Sequence, residues 1–395
     1  MSTTNIHTTP LPPTYRALQF HSSSSPATIV TKTSPSLPPP LGTALVRPLQ
    51  ASIVGYSNEI FQNGNPRGYA YPLPFVPGPS CIGRLVAVPS DAPGLKPGQL
   101  VLVDAMIRAR DQEADGAAFL LGFHGGMGAS RSIMDNAWRD GTYAELAMVP
   151  VENVHVLDEN ILFGQLGYKM EDLGALMTLA VAFGGLDTAK LRPGETVIIA
   201  PATGSFGGAA VHVALALGAQ VIAMGRNKAV LAELEVLGEG KIATAPLSGT
   251  VEGDLESIKT AATKLGSRRV DVFFEISPPK TVNEPGQTVP HITAALTALR
   301  KGGRAVFMGG IKEQVNVPLW EVVHGLKTLL GWWMYTAQQL NALIHLVEAG
   351  VLKLGDRRGF MCKGIFPLEK WDEAFDLAAR EAKAGAFVLL QPTPD

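Results

Sequence analysis

Ala202, Thr203, Gly204, Ser205, Phe206 and Gly207 are the residues of this 395-residue sequence whose spacing points most directly to chemistry, a G-x-G-x-x-G pattern with alanine in the first position. Each position has a physical task. The first residue must fit a tight turn, Gly204 lets the backbone approach a pyrophosphate, and Gly207 lets the next helix press against the preceding strand. Amides at the start of that helix then face the phosphates. The flanks agree: ETVIIA reads as a strand buried on both faces, the helical stretch from Gly207 to Leu217 stops at Gly218, and AQVIAMG rises as a second strand. The whole unit, Glu195 to Lys228, is predicted to bind a dinucleotide, with a merely tight turn as the alternative.

Which dinucleotide is read from the end of the second strand. An NAD site holds an acid about 20 residues past the fingerprint to bind the ribose 2′-hydroxyl. Here the chain has Gly225, Arg226, Asn227 and Lys228. Two cations beside a glycine attract a 2′-phosphate, so NADP(H) is expected; the alternative is that Arg226 and Lys228 are solvated loop charges. Ser277 and Gly309, after the next two strand candidates, complete the expected coenzyme set.

The elements that must position these residues follow from periodicity. TYRALQF and ATIVTKT alternate like a hairpin, and GTALVRPLQ, VPGPSCIGRLVAVP, LKPGQLVLV, GTYAELAMVP and ENVHVL continue an all-β opening. Between them ASIVGYSNEIFQNGN loses alternation, as a loop and short helix lining a site would. Residues 106–140 show little periodicity and are expected as a long loop, a lid, a binding wall or an insertion. From Glu171 the pattern is helical. Strands and helices then alternate through RVDVFFEI and GGRAVFMGG, which predicts a parallel doubly wound sheet, with LLGWWMYT as an edge strand. A helix at 337–349, a β segment near 361–366, a helix at 368–380 and the strand AFVLLQP close the chain.

Composition excludes several classes. Charged residues make up 17 % of the chain, below the ~25 % of ordinary globular chains, so much surface is buried within the fold or between subunits. A formal net charge of −2 with no Lys/Arg run argues against nucleic acid. Cys81 and Cys362 are the two cysteines, too far apart to imply a disulfide framework, so a reducing compartment fits. No apolar run approaches the ~18 residues of a membrane span, and the polar, Pro-rich start resembles neither a secretory signal nor a transit peptide. A soluble, cytoplasmic protein is expected.

In order along the chain, VPGPSCIGRLVAV, LKPGQLVLV, GTYAELAMVP, LRPGETVIIAPATGSFGG, VIAMGRN, GGRAVFMGG and AKAGAFVLLQP resemble the medium-chain dehydrogenase/reductases over nearly the full length. The resemblance implies an α/β protein: a GroES-like β domain (1–170), a Rossmann domain binding NADP(H) (171–335) and a C-terminal return to the first domain (336–395), with the active site in the cleft between them. It also implies a homodimer acting on a small hydrophobic or conjugated substrate. Zinc-dependent members carry a glycine-histidine-glutamate motif at Gly78, Pro79 and Ser80, a cysteine at about Gly55 and a third ligand near Met177. None of these ligands is present, and no cysteine cluster follows Asp104, so the expected enzyme is zinc-independent and closer to quinone and enoyl reductases.

Without a metal, hydride transfer needs a hydrogen-bond donor at the developing oxyanion or enolate and a source of the proton. Tyr56 and Ser57 are the first candidates, against the alternatives that Tyr56 packs and Ser57 caps the short helix. His124, in the glycine-bracketed loop FHGGMG, is the third, since imidazole titrates near neutrality; a surface-loop histidine is its alternative. The expected activity is NADPH-dependent reduction of an activated C=C or a quinone. A metal-free carbonyl reductase or alcohol dehydrogenase, and a non-catalytic NADP(H)-binding sensor or structural protein, are the alternatives.

Overall fold

The computed structural model describes residues 11–22, 25–111, 116–126, 128–279, 289–312 and 314–394. The chain divides into two units. One contains the residues to Met177, Met361–Glu381 and the stretch from Phe387 on; the other contains Thr178–Phe360 and Ala382–Ala386.

In the first unit, alternation in TYRALQ and TIVTKT yields the antiparallel pair β1 (Thr14–Gln19) and β2 (Thr28–Thr33), with Ala17 opposite Val30. The long strand β3 (Thr43–Ser52) runs into a short helix, α1 (Ser57–Phe61), and then come β4 (Cys81–Ala87) and β5 (Leu100–Val103). The stretch expected to be irregular holds a hairpin, β6 (Met106–Arg108) and β7 (Ala118–Leu120), and a helix, α2 (Ala129–Asn136). Elements of three residues are too short to show a period, which is why the sequence hid them. Residues 112–115 and Met127 of that stretch lie outside the described residues. β8 (Ala147–Pro150) pairs with β3, and β9 (Val154–Val156) pairs with β5.

The second unit contains helix α3, which runs Leu176–Thr188 across the boundary, and an alternation of strands and helices whose two central strands are buried throughout. These are β10 (Thr196–Ala200), α4 (Ser205–Ala216), β11 (Gln220–Gly225), α5 (Lys228–Leu237), β12 (Ile242–Pro246), α6 (Val251–Lys264) and β13 (Val270–Glu275). They continue with α7 (Pro290–Ala298), β14 (Leu299–Phe307), α8 (Leu319–His324), β15 (Thr328–Gly331) and α9 (Ala337–Glu348). All pairs in the sheet are parallel, in the order β12-β11-β10-β13-β14-β15. The chain therefore winds outward from β10 to β12 and then crosses to the other side of β10. That reversal lies between β10 and β13, where such sheets bind ligands at the carboxyl ends of their strands.

Helix α9 belongs to this unit, which extends to Phe360 rather than stopping near 335. Its Leu340, Leu343, Ile344 and Val347 are buried, and Gln339 donates to Asp187 of α3 at 2.9 Å. The chain then returns to the first unit with β16 (Met361–Pro367), α10 (Trp371–Arg380) and β17 (Ala386–Gln391), which completes a seven-stranded sheet in the order β16-β17-β3-β4-β5-β9 with β8 also paired to β3. No helix among the described residues is long and apolar enough to cross a membrane.

Candidate functional site

The residues expected to hold a coenzyme come together at the carboxyl ends of β10, β11, β13 and β14. Gly204 is the N-cap of α4, with extended φ −87° and ψ 170°, and a methyl group at its Cβ position would meet nothing within 4 Å. The space over the first turn is open. Gly207 is the opposite case: a Cβ there would lie 2.9 Å from the Pro201 carbonyl carbon and closer still to its oxygen. The first turn of α4 thus touches the end of β10, and the amides of Ser205, Phe206 and Gly207 are first-turn groups with no partner inside the helix. The turn is pinned from below. Ala202 N–H donates to the Met224 carbonyl at 2.7 Å, and the Thr203 carbonyl accepts from Ala384 N–H at 3.0 Å.

At the end of β11, Gly225 is buried because a Cβ would strike Thr203 Cγ2 at 2.5 Å. Arg226 and Lys228 are exposed immediately after it. Asn227 has a helical duty: its side-chain oxygen accepts from the Ala229 and Val230 amides at 3.1 and 3.2 Å and so caps α5. Ser277 and Gly309 are drawn together by a residue the sequence reading did not single out. Glu275, 2 % exposed at the end of β13, accepts from Ser277 N–H at 2.6 Å and from the Gly309 amide. Burial raises its carboxyl pKa, against the hydrogen bonds from Ser277 and Gly309. A Cβ on Gly309 would come within 2.7 Å of the Ser277 backbone, so the two loops pass at backbone contact. The Ser277 hydroxyl pairs with His291 Nε2 at 3.2 Å, and burial pushes that imidazole down to about 4; the Asp254 carboxylate opposes the shift and the Arg226 cation adds to it. An acid ending a buried strand was a signal available in VFFEI.

The catalytic candidates share one cluster in the first unit. The Tyr56 and Tyr69 side chains are hydrogen-bonded, with their rings edge to face at 6.3 Å, and the Arg67 guanidinium lies 3.8 Å over the Tyr56 ring while pairing with Glu59 at 2.7 Å. Burial, then Tyr69, raises the Tyr56 pKa well above the ordinary phenol value, so its hydroxyl stays protonated. His124 stacks on Tyr69 at 4.4 Å. Its Nδ1 accepts from Ala70 N–H at 3.1 Å, which leaves the proton on Nε2, and burial lowers its pKa. Phe123, 1 % exposed, packs edge-on against both the Tyr56 and the Tyr69 rings, at 6.0 and 5.7 Å. The loop holding it is fixed by glycine contact: Gly78 N–H donates to the Gly122 carbonyl at 3.0 Å, and Gly141 packs on both. Ser57, the residue after Tyr56, is 1 % exposed, and its hydroxyl has no hydrogen-bond partner. It does not cap α1, whose N-cap is Tyr56 and which has no side-chain cap bond. Arg67 and Tyr69 sit in a stretch without periodicity, so nothing in the sequence announced them.

Two family descriptions match this chain. The alcohol dehydrogenase GroES-like domain matches residues 41–159, and the zinc-binding dehydrogenase domain matches residues 206–349. The chain belongs to the medium-chain dehydrogenase/reductase superfamily. Its members are oxidoreductases, and the GroES-like and doubly wound units are those expected from the sequence. The acryloyl-coenzyme A reductase of Metallosphaera sedula is 23 % identical over 329 residues, covering 80 % of this chain and 83 % of that protein. Among solved structures, AibC superposes with a TM-score of 0.72 at 20 % identity, covering 97 % of both chains. The crotonyl-CoA carboxylase/reductase AntE, solved in complex with NADP, superposes with a TM-score of 0.69 at 16 % identity, over 97 % of this chain and 95 % of that one. At these identities the superpositions establish the fold.

The family description raises the question of zinc. Catalytic zinc needs about three converging thiolates, imidazoles or carboxylates, and no three such groups converge among the described residues. Cys81 is fully buried in β4 with its thiol pKa driven up by desolvation, while Gly55, Ser80 and Met177 offer no ligand. The residues present do not fit the metal.

Proposed function

We propose that this chain is a zinc-independent, NADP(H)-dependent reductase of an activated C=C bond, taking an enoyl or quinone substrate with a small hydrophobic or conjugated body. The observation that carries the reading is the Tyr56–Ser57 pair: a hydroxyl kept protonated beside a buried hydroxyl with no partner of its own. These are donors for the oxygen of an enolate, the group that a metal would otherwise stabilise. The reductases named above, acryloyl-CoA and crotonyl-CoA, support an enoyl-type substrate, and the NADP complex of AntE supports the coenzyme.

The coenzyme, when bound, supplies the hydride. The amides of Ser205, Phe206 and Gly207 hold its pyrophosphate, with Thr203 and Gly204 forming the turn beneath. Arg226 and Lys228 hold the 2′-phosphate, and Gly225 and the Asn227 cap fix the turn that presents them. Ser277 and Gly309, tied by Glu275, shape the seat at β13 and β14. Tyr56 and Ser57 donate hydrogen bonds to the substrate oxygen as charge develops there. Tyr69 orients the Tyr56 hydroxyl, and His124, neutral with its proton on Nε2, flanks Tyr69. Water delivers the proton to carbon.

We further propose a cytoplasmic homodimer. The outer edge of β15 is unpaired in the sheet, and the adjoining Leu319, Trp320, Val323 and Leu326 are each more than half exposed. Such a surface asks for a partner strand, which a second copy supplies.

The test is NADPH oxidation across a panel of enoyl thioesters, enones, quinones and aldehydes, with NMR of the product. Saturation of C=C or quinone reduction is expected. Alcohol formation alone would identify a metal-free carbonyl reductase, and tight NADPH binding with no turnover would identify a nucleotide-binding protein without catalysis.

A further inference from the structure

A second pocket lies in the coenzyme-binding unit, away from the fingerprint. Its volume is about 350 Å³, and it is lined by the last turns of α4 and α5 and by the segment after α9. From the start of α4, where the pyrophosphate amides lie, to Ala216 at this pocket is twelve residues, or roughly 17 Å of helix. The two places are therefore distinct. The volume falls in the range of small-molecule sites, ~300–1,000 Å³.

Its lining is divided by chemistry. The floor is apolar: Leu215, Ala216, Val236, Leu237, Val351 and Leu352. Val236 is 82 % exposed and Val351 is 49 % exposed, side chains that water covers for want of anything else. His212 completes the floor with its ring 4.2 Å from Phe360; burial depresses its pKa to about 4, so it brings no charge at neutral pH. The rim is cationic. Arg358 is 3.9 Å from Glu239, the acid in the lining, while Lys353 and Arg357 have no acidic partner among the described residues. Two unpaired cations over exposed valines match the two ends of an amphipathic molecule.

We propose that this pocket binds an amphipathic organic anion, with a short acyl-sized apolar body over Leu215, Val236 and Val351 and a carboxylate or phosphate head at Lys353 and Arg357. The ligand is a small molecule because the volume of the pocket matches one. The shared chemistry is an anionic head on an apolar body, and the head group is left to the measurement.

Calorimetric titration of the whole protein with decanoate, decyl phosphate and decyltrimethylammonium, all below their micelle concentrations, tests it. Decanoate or decyl phosphate should bind at one site per chain, the tighter of the two naming the head group, and the cationic analogue should not bind. The double variant Lys353→Glu/Arg357→Glu should weaken that binding at least tenfold, with unfolding temperature and coenzyme affinity unchanged. Equal binding of cation and anions, no saturable binding, or unaltered binding by the double variant would each overturn the proposal. So would a change of oligomeric state in that variant, since the pocket would then be a subunit contact.

Discussion

Gly204 and Gly207 stand three residues apart in one turn, yet the structure predicts opposite consequences for the same substitution. A methyl group on Gly207 would sit against the Pro201 carbonyl, far inside the 3.0 Å limit that real Cβ atoms respect. Relief requires α4 to lift from β10, and forced packing of this kind costs about 1–3 kcal/mol. At roughly 2–4 °C per kcal/mol for a domain of this size, Gly207→Ala should lower the unfolding temperature of the coenzyme-free protein by about 2–12 °C. Gly204 meets nothing within 4 Å and has φ −87°, which alanine adopts freely. Alanine is a poorer N-cap than glycine, so Gly204→Ala should lose less than about 1 kcal/mol of stability. Its methyl group, however, would enter the open space over the turn, where the proposed function places the pyrophosphate. NADPH affinity should fall by at least tenfold, about 1.4 kcal/mol. Scanning calorimetry without coenzyme and fluorescence titration with NADPH separate the two effects. Wild-type NADPH affinity in a folded Gly204→Ala protein would refute the placement of the coenzyme over this turn.

Other outcomes follow from the same geometry. Arg226→Ala with Lys228→Ala should lower kcat/KM for NADPH on the order of tenfold or more while leaving NADH nearly unchanged; equal losses with both coenzymes would remove the 2′-phosphate assignment. Ser57→Ala should lower kcat about 10²-fold, the usual effect of losing an oxyanion donor, with the unfolding temperature unchanged or raised. His212 has an ordinary pKa of 6.5 when unfolded and about 4 when folded. The unfolded chain therefore takes up its proton first as pH falls, and stability should be lost between pH 6.5 and 4, by up to about 3 kcal/mol. His212→Gln should flatten that part of the stability–pH curve, and an unchanged curve would show that the ring is not buried. Trp320→Glu with Leu326→Glu should shift the protein from dimer to monomer in analytical ultracentrifugation; an unshifted dimer would place the interface elsewhere.

Legibility in the sequence tracked the length and regularity of each physical signal. The order from β10 to β11 was readable because buried parallel strands are continuous apolar runs, and because Gly207 answers to a backbone contact with Pro201 that leaves no room for a side chain. The position of Arg226 and Lys228 after β11 was readable because strand ends have a fixed offset from the fingerprint. The site in the first unit was half readable. Tyr56, Ser57 and His124 were picked out from residue type and loop position. Arg67 and Tyr69, which set the environment of Tyr56, lie in a segment with no period, where contacts depend on tertiary folding alone. The hairpin β6–β7 was hidden for the same reason. Helix α9 was found as a helix but not assigned to its unit, since its partner Asp187 is about 150 residues distant in sequence.

A buried hydroxyl without a hydrogen-bond partner costs about 1–3 kcal/mol, and a protein keeps few of them. A serine near the start of a helix has an inexpensive remedy, a bond to a nearby backbone group. Ser57 makes no such bond among the described residues, and it follows directly on Tyr56, whose own hydroxyl is held protonated by burial and by Tyr69. One hydroxyl is thus kept unsatisfied, at a standing loss of stability, next to a second that is held protonated in its bond to Tyr69. A purely structural role predicts the reverse of what the geometry implies: removing a structural hydroxyl should destabilise, whereas removing an unsatisfied one should be neutral or stabilising and should cost activity instead. The sign of the stability change in Ser57→Ala, read beside the loss of kcat, therefore decides between packing and catalysis at this turn without any knowledge of the substrate.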